Sequence, residues 1–347
     1  MEYSIRPFII SQENILRAGC LDAKMAIDVV ESTFELYSKG HILYPDKVSQ
    51  IFDEETQDRT NCMPATILTE KVSGMKWVSV FPSNAGKGIQ NVSASILLSS
   101  TETGFPIAFL EGTICSNLRT AAISTVAAKH LAKKKPKAVG FVGAGQQSRY
   151  HFMVMKEQFP SIKKCFVSSR TLKSEKNFIE DMEKIYENVE FYSCESSYKN
   201  TVTNSDILIS AISGQEPVIK ADWIQKGMLY IHVGGWEDEY NVLLKADKIV
   251  CDSWKAAKHR TQTISRAYQE GLISDKDIHC DLHDLCLGNK EGRESEDEFI
   301  YFNTVGLSFV DIMLAKKIYD ICKAKNEGIC IDFQTMDVFD FISRRGL

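Results

Sequence analysis

What the chain lacks narrows its class before any motif is read. Its ten cysteines include no Cys-x-x-Cys pair, a pattern that fits reduced thiols in a cytoplasm better than a disulfide framework. No uninterrupted apolar run approaches the ~20 residues of a membrane-spanning helix. The opening residues, MEYSIRPFIISQEN, have an acidic second position and no long apolar core, so no secretory leader is expected. A basic excess is missing too. Lys and Arg number 41 against 46 Asp and Glu, a net charge of −5, which argues against nucleic acid or an anionic membrane as partner. There is no internal repeat and no linker rich in Gly, Ser or Pro.

What is present is the composition of a soluble globular protein, 44% hydrophobic and 25% charged over 347 residues, long enough for two domains with full cores. The stretch KAVGFVGAGQQSRYHF (137–152) reads as a buried strand, a tight turn and a helix start. Gly143 and Gly145 permit a sharp turn and close backbone approach to a pyrophosphate, whose charge would sit on the N-terminus of the following helix. Ser148 stands where a third glycine is usual, giving G-x-G-x-x-S. Context gives the motif its meaning. After it come strand-like runs at 165–169, 189–193, 206–211, 228–234 and 247–252, separated by polar or helical text. That alternation predicts a doubly wound parallel sheet of Rossmann type over 120–305.

Residues 1–119 read as an α+β substrate domain, with a helix at 21–38 and strands at 72–82, 92–100 and 106–112. The amphipathic segment 308–325 is expected to pack back on this domain. The organisation is therefore 1–119 with 306–347 for substrate and dimerisation and 120–305 for a dinucleotide, with the active site between them.

Four stretches, SGMKWVSVFP, ETGFPIAFLEGTICSNLRTAAISTVAAKHLA, GFVGAGQQS and FNTVGLSFVDI, occur in this order. Together, over about residues 40–320, they resemble the ornithine cyclodeaminase/mu-crystallin family. Within it, GMKW (74–77) and GRESEDEF (292–299) are most similar to dehydrogenases that release 2,3-diaminopropionate and 2-oxoglutarate from an N-linked amino acid conjugate. The resemblance implies an oxidoreductase that moves hydride at the α-carbon of an amino acid through an imine. It also leaves open an ornithine cyclodeaminase, a ketimine reductase, or a mu-crystallin-like binding protein with little turnover. A homodimer through the first domain is implied as well.

The resemblance assigns residues. Arg119 matches the arginine near substrate and nicotinamide, and a guanidinium suits a carboxylate because it donates two parallel hydrogen bonds. Lys76 matches a strand lysine facing the substrate, where partial burial would suit it to give or take a proton. Lys47 aligns where many members have an arginine and could meet a second carboxylate. Cyclodeaminases carry an aspartate after VGG. Here HVGGWEDEY puts Trp236 at that place, so Glu237, then Asp238, becomes the acid–base candidate. Thr120, Ala144, Gln146 and Gln147 join the phosphate site, and Val233 and Thr304 border the nicotinamide.

An NAD-selective sheet ends its second strand with an acid for the ribose 2′-hydroxyl. Ser169 occupies that position and Arg170 follows, which favours NADP(H) while leaving NAD(H) possible. HCDLHDLC sets His279, His283 and Cys286 at i, i+4 and i+7, a spacing that can ligate zinc if the segment is one helix. With the fourth ligand unspecified, no metal site is expected.

Overall fold

Alternation of buried and exposed side chains builds the first sheet. A computed structural model describes residues 4–345 apart from Ser213 and Gln215. The strands of this sheet are β1 (Phe8–Ile10), β2 (Ile42–Leu43), β3 (Val48–Ile51), β4 (Arg59–Ile67), β5 (Val72–Val80), β6 (Val92–Ser100) and β7 (Pro106–Glu111). The other sheet follows in the chain with β8 (Ala138–Val142), β9 (Lys164–Ser168), β10 (Glu190–Ser193), β11 (Ile207–Ser210), β12 (Leu229–His232), β13 (Lys248–Cys251), β14 (Ile278–Asp281) and β15 (Ile300–Asn303). Finally, β16 (Ile329–Cys330) returns to the first sheet.

That first sheet has the order β16-β1-β7-β6-β5-β4-β2, with β3 also on β4. Its long strands are antiparallel and β1 runs parallel to β7. On β5 the side chains of Val72, Lys76 and Val78 are buried while Trp77 between them is exposed, the period-two alternation of a strand with one covered face. The cover is the helix Ser308–Ala324, which packs across β4, β5 and β6. Gly74 lets it come close: a Cβ there would lie 3.0 Å from Ile312 Cδ1 and 2.5 Å from the Leu97 carbonyl oxygen.

The second sheet is parallel throughout, in the order β10-β9-β8-β11-β12-β15-β13-β14. β8, β11, β12 and β15 are buried along their whole length, as expected where helices cover both faces. β8 pairs with β9 on one side and β11 on the other, which puts the reversal of strand order at the end of β8. The register aligns Ser168, Val142, Ser210, His232, Asn303 and Cys251 in one row across six strands.

Contacts divide the chain into two units. One comprises residues up to Asp22, Lys39–Ser116 and the chain from Ser308; the other comprises Ala23–Ser38 and Asn117–Leu307. The helix Ala23–Ser38 thus differs from its expected place within 1–119. Its buried face, which includes Ala26, Ile27, Val30 and Phe34, packs on the helices Gln146–Gln158 and Leu282–Cys286 of the second unit. No described helix is long and apolar enough to cross a membrane.

Candidate active site

The first residue beyond the aligned row is, strand by strand, Ser169, Gly143, Ala211, Val233, Thr304 and Asp252. Four of these are candidates named from the sequence, and the sheet brings them to one edge. Ligands of open parallel sheets bind outside such a carboxyl edge. Gly143 has φ +110°, and a Cβ there would lie 2.8 Å from the Ala211 carbonyl oxygen, so both conformation and space demand glycine. Gly145 is the N-cap of the helix Gln146–Gln158, and among the described residues it has no side-chain cap and its Cβ direction meets nothing within 4 Å. An uncapped N-terminus behind an open glycine fits a dinucleotide's pyrophosphate.

Ser148, in the third-glycine position, is buried and donates to the Gly143 carbonyl at 2.6 Å. It ties the turn shut. Gln146 is exposed and Ala144 half-buried, while Gln147 donates to Asn117 Oδ1 at 2.7 Å. Sequence reading missed Arg149. Its guanidinium donates to the carbonyls of Ala144 and Gly145, 2.8 and 3.2 Å away, and to Asp181. At the end of β9, Ser169 N–H donates to Glu175 at 2.8 Å and Arg170 is exposed. Glu175 also accepts from Ser193 Oγ and Ser196 N–H, so this buried carboxylate braces the loops.

Further along the edge, Asp252 accepts from Thr304 Oγ1 and from the N–H groups of Val305 and Gly306. Burial pushes its carboxyl up to about 6. This anchored turn backs onto Arg119. Gly306 has φ +76°, and a Cβ on it would lie 2.5 Å from Arg119 Nη1. Arg119 and Thr120 are both buried, on the helix Thr113–Leu131.

Glu237 and Asp238 do not reach solvent. Both are fully buried. Glu237 accepts from Ser210 Oγ and the N–H groups of Ile212 and Gly234, joining the ends of β11 and β12. Burial raises it to about 7. Asp238 accepts from Thr263 Oγ1 at 2.7 Å and from Tyr230 and Tyr301 at 3.4 Å, and burial raises it to about 8. An acid presented toward substrate is therefore not the geometry found. The side chains turn inward because Val218 and Ile219 N–H groups bond the Glu237 carbonyl and Glu239 N–H bonds Ile219, which pins the segment to the loop before it. Trp236, at the cyclodeaminase aspartate position, lies under the Arg266 guanidinium at 4.7 Å.

In the first unit, Lys76 Nζ donates to Asp311 Oδ2 at 2.8 Å and Ser116 Oγ at 3.2 Å. Both charged side chains are buried. In FNTVGLSFVDI the sequence marks Asp311 only as one polar position of an amphipathic helix. Glu111 accepts from the N–H groups of Thr113 and Ile114, which fixes the start of the helix that carries Ser116 and Arg119. Those two are three residues apart and share a face. Lys47 is half-buried between β2 and β3. His279 and Cys280 lie on β14 while His283 and Cys286 lie on the next helix, so HCDLHDLC does not form one helical face.

A model of the ornithine cyclodeaminase/mu-crystallin family matches residues 9–326. The chain belongs to that family. N-((2S)-2-amino-2-carboxyethyl)-L-glutamate dehydrogenase of Staphylococcus aureus is 30% identical over 328 residues, spanning 93% of this chain and 97% of its own. The structure of Thermococcus litoralis Delta(1)-pyrroline-2-carboxylate reductase in complex with NADH and L-proline superposes with TM-score 0.89 at 32% identity, covering 93% of this chain and all of the other (100%). An archaeal alanine dehydrogenase dimer with bound NAD gives 0.87 at 30%, covering 95% and 100%. With this family and these relatives, the chain is a nicotinamide-dependent oxidoreductase.

Proposed function

We propose that the protein catalyses hydride transfer at the α-carbon of an amino acid or an N-linked amino acid conjugate, with imine formation or hydrolysis completing the reaction. The observation that carries this is the buried Lys76–Asp311 pair. An ammonium kept out of water is costly unless it is paired, and Lys76, paired with Asp311, is placed to offer protons to a carbon–nitrogen centre. The nicotinamide, when bound, supplies or takes the hydride. Arg119, held against Gly306, clamps the α-carboxylate through its planar fork. Lys47 meets a second carboxylate, which suits an N-linked conjugate with more than one carboxylate, such as the three-carboxylate compound named for the S. aureus relative. Lys76 gives or takes the proton at nitrogen or at the attacking water.

Ser169 and Arg170 support NADP(H), because Arg170 can pair with a 2′-phosphate where no acid accepts from a ribose hydroxyl. The relatives solved with NADH and NAD make NAD(H) the competing outcome. A homodimer through the first unit is supported by the dimeric alanine dehydrogenase and by exposed Val48, Ile51, Phe52 and Trp77. The ten free thiols support a reducing cytoplasm.

The test is nicotinamide absorbance, with NADPH and NADH, against a panel of 2-oxo acids plus amines, cyclic imines and N-(carboxyalkyl) amino acids. Turnover of an amino acid carbon–nitrogen substrate is expected. Cofactor binding with no turnover on any of them would reduce the protein to a binding module.

A further inference from the structure

Behind the carboxyl edge of the parallel sheet lie three titratable groups that the reaction above does not use. The amide of Gln262 donates from Nε2 to the carbonyls of Gly234 and Thr304, at 2.8 and 3.0 Å. Its Oε1 therefore accepts, and Asn303 Nδ2 donates to it at 2.8 Å. That turns Asn303 Oδ1 toward His232 Nδ1, 2.9 Å away. An amide oxygen has no proton to give, so Nδ1 of His232 carries the hydrogen and Nε2 presents a lone pair.

Among the described residues Nε2 is buried without a hydrogen-bond partner. It nevertheless lies 3.5 Å from Glu237 Oε2 and 3.4 Å from Asp238 Oδ1. Three acceptor atoms thus converge where water is excluded, and without a proton between them they repel. The other polar groups facing the cluster are the hydroxyls of Ser210 from β11, Tyr230 from β12, Tyr301 from β15 and Thr263 from the helix Thr263–Gln269, the N–H groups of Ile212 and Gly234, and the Gly235 backbone beside the His232 ring. The hydroxyls and the two N–H groups donate to the carboxyls and leave Nε2 unserved.

We propose that His232, Glu237 and Asp238 share a buried proton, and that this proton, through Asn303 and Gln262, fixes the Val233–Gly234 and Thr304 backbone against which the nicotinamide binds. The second half rests on the functional reading above; the first half stands without it. Burial lowers His232 to about 4 while raising both carboxyls, so the proton resides on a carboxyl at neutral pH and bonds to Nε2. Glu237 is also tied directly to the same edge by the Gly234 N–H, 3.2 Å away. These are positioning residues. None of the three need touch substrate.

The test pairs infrared spectroscopy with cofactor titration on the full-length protein. At pH 7 the spectrum should contain a protonated carboxylic acid band that shifts in D2O, fades toward pH 9.5 and weakens in Glu237→Gln or Asp238→Asn. The dissociation constant for NAD(P)H should rise at least ~5-fold between pH 6.5 and 9, the lower end of typical coupling between sites. His232→Gln keeps a donor for Asn303 but removes the ring nitrogen that links the carboxyls to it, leaving only the Glu237–Gly234 bond, so its pH dependence should be markedly weaker. A wild-type spectrum without that band overturns the shared proton. A band that titrates while cofactor affinity stays level overturns its coupling to the edge. If neither cofactor binds at any pH, the functional reading fails and takes the coupling with it, while the band still decides the proton. Should the variants misfold, the two wild-type measurements decide alone.

Discussion

Nζ of Lys76 lies 2.8 Å from Oδ2 of Asp311, with the lysine 1% and the aspartate 0% exposed. Each charge is the other's compensation, so substitution can separate the pair's part in stability from the part proposed for Lys76 in the reaction. Lys76→Met should leave a lone buried carboxylate and cost about 3–5 kcal/mol by denaturant unfolding. The double variant Lys76→Met/Asp311→Leu should recover most of that loss. Turnover should fall by roughly 10²-fold or more in both, the scale of acid–base catalysis, with cofactor binding retained. Near-normal kcat in Lys76→Met would remove lysine from the mechanism.

Arg119 should fail differently. Arg119→Lys keeps charge but loses the planar fork, so KM for the amino acid should rise with kcat changing less. Gly306→Ala should mimic it without touching the arginine, because the added methyl occupies the guanidinium's place. A Gly306→Ala enzyme with unchanged KM would show that the contact does not position Arg119.

Cofactor choice has a direct readout. NADPH should bind at least ~10-fold more tightly than NADH, about 1.4 kcal/mol, and Arg170→Ala should erase most of the gap. Equal affinities in fluorescence titration of the wild type would assign the end of β9 no part in selection.

The buried acids set a pH trend. Glu237 and Asp238 rise from ordinary values of 4.5 and 3.8 to about 7 and about 8. Folded protein keeps protons that the unfolded chain has released, so stability falls as pH climbs through that interval. His232 and His151, lowered from 6.5 to about 4, act with the opposite sign, but only below 6.5. Between pH 6.5 and 8 Tm should therefore decline, and less steeply in Glu237→Gln. A Tm that climbs across this window would contradict the assignment.

Zinc should play no part. Elemental analysis is expected to show no stoichiometric zinc, and activity should survive chelation. One zinc per chain, lost in His283→Ala, would reverse this.

Much of this was legible in the sequence, for reasons that differ by residue. Gly143 could be read because a positive φ and a close carbonyl leave no alternative residue. Strand β5 could be read from its alternation, and Lys76 from the motif around it. Asp311 could not be singled out, since nothing in an amphipathic helix tells which polar residue faces a lysine 235 positions earlier. The burial of the acid–base candidates Glu237 and Asp238 is not legible, because the backbone bonds to residues 218 and 219 that turn them inward are long-range and leave no local trace. The helix Ala23–Ser38 carried its periodicity openly, but amphipathicity does not say which sheet's helices it will join.

Strand order also bears on how the protein is made. β15, residues 300–303, lies between β12 and β13, which precede it by tens of residues. During synthesis β12 therefore keeps an unpaired edge, and β13 with β14 has no place in the sheet, until residue 303 has emerged. Asn303 and Thr304, which complete the carboxyl edge, arrive at the end of that same late strand. A nascent chain can thus form the glycine turn early yet complete the edge only when the sheet closes, and until then the open side of β12 is an unpaired edge available for wrong pairing.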